Sequence, residues 1–106
     1  MSERKEARID EILRQGVDRK ASDIHILTKL QPHFRISGFL VPMEGPVLEP
    51  QQCRDLLYEI LSEKQIATYE AERELDFSYG VDGYGRFRIN YHSQRGSIGA
   101  AIRPLR

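Results

Sequence analysis

Apolar positions change period several times along this chain, and each change predicts an element. Ile9, Ile12, Leu13, Gly16 and Val17 fall at i, i+3, i+4, i+7 and i+8, the single buried stripe of an amphipathic helix. Ser2 is placed to cap that helix, Glu3 and Glu6 suit its N-terminus, and Gly16 lies near its end. Asp23-Ile24-His25-Ile26-Leu27 then alternates as a half-buried strand does. His33 to Ile36 reads as a second strand, Ser37-Gly38 as a tight turn, and Phe39-Leu40-Val41 as a third short strand. Pro42 and Pro46 punctuate the loop that follows.

Pro50 suits the first turn of another helix, with Glu49 at its start. Cys53, Leu56, Leu57, Ile60 and Leu61 repeat the five-point stripe. Ser62 and Gln65 form an S-x-x-Q capping box, so a further helix starts there and runs to about Arg73. Leu75, Phe77, Tyr79 and Val81 alternate with polar or small residues, as do Phe87, Ile89 and Tyr91, and then Ile98, Ala100 and Ile102. Asp82-Gly83-Tyr84-Gly85 is a loop signal between the first two of these strands. The order α-βββ-αα-βββ predicts an α+β domain of two layers: a mainly antiparallel sheet with helices on one face.

Composition narrows the function. The chain's 106 residues suit one domain, with 40% hydrophobic and 30% charged residues. Sixteen basic and sixteen acidic side chains cancel, which argues against a nucleic-acid binder or a polybasic membrane binder. No apolar run approaches the roughly 18 residues of a membrane span, so direct membrane insertion is not expected. The charged start from Met1 to Arg8 is unlike a signal peptide, which leads to an expected cytoplasmic location. Cys53 is the single cysteine, so neither an internal disulfide nor a cysteine metal cluster is expected. The charge is unevenly spread. Glu49 to Asp76 holds eight acids against three bases, whereas Arg86 to Arg106 holds five arginines and no acid. A neutral protein with such a basic C-terminal part can still meet a local anion.

The last two strands bring two of those arginines together. With Arg95-Gly96 at the centre of a hairpin turn, Ile89 faces Ile102, Tyr91 faces Ala100 and Ser93 faces Ile98. On the other face Arg88 meets Arg103, Asn90 meets Ala101 and His92 meets Gly99. The alternation favours this register or a two-residue shift of it. Opposed arginines repel. Either they jointly hold an anion, most naturally a phosphate, or each finds a carboxylate in the acidic middle of the chain. The small Ala101 and Gly99 are expected to leave that face open.

Other residue types carry less. Asp23 and His25 share a strand face, but two ligands are too few for a metal and no third is evident. Ser22, Asp23 and His25 have the types of a hydrolase triad, yet neighbours on one extended strand do not converge on a bond. Cys53 belongs to a core stripe, Gly83-x-Gly85 to a turn, and Glu70, Glu72 and Glu74 to a solvated helix end. No G-x-x-x-x-G-K-[ST] loop occurs, so ATP hydrolysis by this chain alone is not expected.

Ala21-Ser22-Asp23-Ile24-His25-Ile26 resembles the ASDLHL segment of PilT-like type IV pilus retraction ATPases, members of the type II/IV secretion ATPase superfamily. Phe34 to Pro42, Leu57 to Leu61, Glu74 to Tyr79, Gly85 to Asn90, Gln94 to Gly96 and Ile102 to Leu105 continue the resemblance in order. Ser37 departs from the family's usual Asp, and Glu49-Pro50 from its usual Thr-Pro. The resemblance implies a PAS-like N-terminal domain spanning residues 1–106, with the RecA-like ATPase domain absent from this chain. It implies no cofactor here, but ATP and Mg²⁺ in a hexameric parent. It implies as partners the RecA-like domains of the same protein and a pilus or secretion platform protein at the inner membrane. It also implies that Arg88 and Arg103, with Arg95 at the hairpin tip, read nucleotide phosphates. The rival expectation is a stand-alone PAS-like sensor or protein-interaction module.

Overall fold

The structure, a computed structural model, describes residues 7–105. Its elements are α1 (Arg8–Asp18), β1 (Asp23–Ile26), β2 (His33–Ile36), β3 (Phe39–Pro42), α2 (Pro50–Tyr58), α3 (Glu63–Glu72), β4 (Glu74–Val81), β5 (Gly85–Gln94) and β6 (Ser97–Pro104). This is the expected α-βββ-αα-βββ order. The strands form one six-stranded antiparallel sheet in the order β3-β2-β1-β6-β5-β4. The two halves of the chain therefore meet where β1 lies beside β6, with Ile24 opposite Ile102.

Alternation decides which side of the sheet is covered. Ile24, Ile26, Phe34, Phe87, Ile89, Tyr91, Ala100 and Ile102 point to one face and are buried. The helices lie on that face. Ile9, Ile12 and Leu13 of α1 and Cys53, Leu56 and Leu57 of α2 join the same cluster. Sheet and helices establish an α+β two-layer domain; they do not establish the PAS-like label.

Three local features depart from or add to the sequence reading. Helix α1 starts at Arg8 with extended Ala7 as its N-cap; the expected cap Ser2, with Glu3 and Glu6, lies outside the described residues. Asp10 and Glu11 supply the first turn's negative charge. Gly16 lies near the end of α1, as expected, but its duty is packing: a Cβ there would lie 2.5 Å from Cδ1 of Ile24, so its absence lets α1 approach β1. Helix α2 stops at Tyr58, and Ile60 and Leu61 pack on the core from a turn closed by Leu61 N–H on the Tyr58 carbonyl. The turn ends where Ser62 caps α3. Its Oγ accepts from Gln65 N–H while Gln65 Oε1 accepts from Ser62 N–H, as the capping box predicts.

The hairpin turns follow their glycines. Arg95 and Gly96 both have positive φ, 54° and 81°, and so do Ser37 and Gly38. That is the two-residue turn whose twist matches paired strands. At the far edge of the sheet, β3 leaves Phe39 73% exposed.

Candidate functional site

The hairpin β5–β6 has the register read from its alternation: Arg88 opposite Arg103, Asn90 opposite Ala101 and His92 opposite Gly99. These residues lie on the sheet face away from the helices, and both arginines are exposed. Extending the β1–β6 register by one pair sets Asp23 beside Arg103, and Asp23 in turn faces Arg35 across β1–β2. Arg88 faces Ser78 on the other side. A row Arg35, Asp23, Arg103, Arg88, Ser78 therefore crosses five strands.

The carboxylates flanking the arginine pair are engaged by other donors. Asp23 accepts from Ser22 Oγ at 2.9 Å and from Arg35 Nε at 3.3 Å, and is joined to His25 Nε2 at 2.6 Å. Burial pushes the Asp23 carboxyl up, but these hydrogen bonds outweigh it and hold the group below the usual carboxylate range. Asp76 accepts from Asn90 Nδ2 at 3.0 Å, and Glu74 from the same nitrogen at 3.2 Å. Among the described residues neither Arg88 nor Arg103 forms an ion pair. Among the described residues the two cations lie side by side without a carboxylate partner. They line a shallow depression of about 400 Å³ with Asp23, His25, Asp76 and Asn90.

Of the two small residues, Ala101 lines the depression and Gly99 does not. Gly99 is buried beneath its neighbours: a Cβ there would lie 2.6 Å from Leu27 Cδ2 and 3.1 Å from His92 Nε2. Arg95 does not join the pair. It sits at the hairpin tip, seven residues along β5 from Arg88, roughly 20 Å at the rise of a strand. A single phosphate group does not reach both places.

The other chemistry-bearing residues are accounted for locally. Ser22 and His25 both bond to Asp23 rather than to each other, so the imidazole does not touch the serine hydroxyl and a hydrolytic triad is not formed. Among the described residues no group of three or more His, Cys, Asp or Glu side chains is placed to hold a metal.

No family model matches the sequence. The type IV pilus retraction ATPase PilT of Pseudomonas aeruginosa is 36% identical over 97 residues, which is 92% of this chain and 28% of that protein. The type IV pilus ATPase PilU of the same organism is 28% identical over 96 residues, 91% of this chain and 25% of that protein. The crystal structure of the pilus retraction motor PilT with bound ADP superposes with a TM-score of 0.85 at 40% identity, covering 95% of this chain and 30% of that one.

The chain is a PilT-like domain.

It spans between a quarter and a third of the length of the relatives it matches. The other candidate positions of this PilT-like domain are structural. Cys53 is fully buried with its Sγ 3.6 Å from the Ile98 carbonyl oxygen, and burial pushes its thiol up, away from the reactive thiolate. Of the acidic run, Glu70 accepts the Tyr58 hydroxyl and Glu74 the Asn90 amide. The sequence placed Asn90 on the face of the arginine pair but not Arg35 or Asp76. The polar parity of those two on β2 and β4 was visible; which strands lie side by side was not. No helix among the described residues is long and apolar enough to cross a membrane.

Proposed function

We propose that this PilT-like domain is the N-terminal regulatory and assembly domain of a hexameric type IV pilus retraction ATPase, the motor of twitching motility, working in the cytoplasm. The observation that carries the reading is Arg88 opposite Arg103 on an exposed face, with the carboxylates beside them already engaged. Guanidinium forks suit phosphate oxygens, and two together match a phosphoryl group better than one. The sequence offers no phosphate-cradling loop, so the cradle for ATP and Mg²⁺ would come from a RecA-like domain outside residues 1–106.

In this reading Arg88 and Arg103 neutralise charge that builds on the transferring phosphate, and do so only while the domain is docked. Docking then differs between nucleotide states, which turns hydrolysis into rigid-body movement of the domain. The RecA-like domains of the hexamer are its immediate partners, and a platform protein at the inner membrane receives the motion. Similarity to PilT and PilU supports the assignment. The 106-residue chain alone should turn over no ATP. In the full-length ATPase, Arg88→Ala or Arg103→Ala should each lower turnover about tenfold or more while circular dichroism stays unchanged. Turnover near that of the unmodified enzyme in both variants would remove the arginines from the nucleotide site.

A further inference from the structure

The opposite end of the β5–β6 ribbon carries a second constellation, on the helix side of the sheet. A cleft of about 390 Å³ lies between α2, the last turn of α3 and the start of β6. Arg54 lies over the Tyr58 ring at 5.3 Å, and Arg73 over the Tyr69 ring at 5.6 Å. The two rings meet edge to face, with centroids 6.3 Å apart. Among the described residues neither guanidinium forms an ion pair. An arginine held over a ring has given up some rotamer freedom, and its N–H groups can still donate. Pro50 and Ile98 add apolar wall.

The backbone of Arg73 is a separate observation. It caps α3 in the left-handed conformation, φ 62° and ψ 24°, where helices commonly end in glycine. A side chain there costs about 1 kcal/mol. The chain accepts that cost and thereby sets a guanidinium at the cleft.

We propose that this cleft is a binding site for an amphipathic monocarboxylate, with the acid head on Arg54 and Arg73 and an apolar body against Ile98, Pro50 and the tyrosine rings. The size matches a small-ligand site, and the lining sets polar groups, among them Gln51 and Ser97, beside the apolar surfaces of Pro50, Ile98 and the two tyrosine rings. Charge selects the head group. Glu70 also lines the cleft and accepts the Tyr58 hydroxyl at 2.9 Å, so the local sum with two arginines is a single positive charge. Tyr58 stays neutral; burial first, and then Glu70, push it up to about 12. One carboxylate balances such a site, whereas a phosphate dianion overfills it and a nucleic acid finds no run of cations. The carboxylate has two sources, a free small acid or the C-terminus of a partner peptide. The site is independent of Arg88 and Arg103, which lie at the other end of the ribbon and on the other face.

The test is an amide chemical-shift titration of the 106-residue chain. The probes are 3-phenylpropionate, a short peptide ending in phenylalanine with a free carboxylate, the amides of both, and inorganic phosphate. Saturable shifts at Arg54, Tyr58, Tyr69 and Arg73 with a carboxylate, lost with its amide, are expected, and the tighter probe names the source. Arg73→Gly separates binding from folding. It should weaken binding about tenfold or more while Tm stays equal or rises, because glycine relieves the left-handed cap. No saturable shift with either carboxylate, tighter binding of phosphate at this cleft, or unchanged affinity in Arg73→Gly overturns the proposal.

Discussion

Asp23 shows how one side chain ties two strands together. Its carboxylate takes hydrogen bonds from Ser22, His25 and Arg35, and is 19% exposed. Its pKa is depressed in the folded chain, whereas an unfolded Asp titrates near about 3.9. The stabilisation is therefore complete above that value and is lost as pH falls through the folded pKa. Asp23→Asn should cost about 1 kcal/mol near neutral pH, and the gap from the parent chain should close between about pH 5 and about pH 2. Urea melts across that range check it. A gap that does not change with pH would mean that the ionised form is not what is being stabilised.

At the scale of elements, close approach of α1 to β1 rests on Gly16. Alanine would gain about 1 kcal/mol of helix propensity but must displace Ile24, which is fully buried, at a cost of about 2 kcal/mol. Gly16→Ala should thus lower stability by about 1 kcal/mol, and Ile24→Val in the same chain should return part of it. Thermal melts of the single and double variants measure this. Elements were legible where local chemistry specified them. The capping box at Ser62 and the Arg95-Gly96 turn are both where their residue types required, and the turn carried the β5–β6 register with it. The stripe through Ile60 and Leu61 misled because apolar residues in a turn can occupy the same face as a helix. Gly16 was placed near its helix end, but its packing duty toward Ile24 was hidden because only the folded structure brings that strand against it. Likewise Gly99 read as open space, and only the packing of Leu27 and His92 shows it to be filled.

Over the whole molecule, the sheet separates two chemistries. Helices cover one face, and the other presents the arginine pair. A cross-strand pair of like charges lowers stability slightly, so a function that keeps both arginines opposes folding. Arg88→Gln, whose cross-strand neighbours are Ser78 and Arg103, should raise the stability of this chain by a few tenths of a kcal/mol at low salt, with the gain fading as salt rises. Thermal melts at two salt concentrations measure it. In a full-length ATPase the same change should abolish whatever Arg88 contributes to turnover. A destabilised Arg88→Gln chain would point to a structural duty for that guanidinium. The relation of one half of the chain to the other was the least legible part. The pairing of β1 with β6, which brings Asp23 beside Arg103, depends on contacts between residues about 80 positions apart.

The two margins of the sheet are guarded against unwanted growth in different ways. On one side β3 has four residues and ends at Pro42, so it offers a newcomer few donors despite its bare phenylalanine. On the other, β4 carries Glu74 and Asp76 on its exposed face, so a second identical margin alongside would bring negative charge next to negative charge. Stacking of copies into ribbons is thereby discouraged at both ends, and the faces of the molecule are left for more selective company.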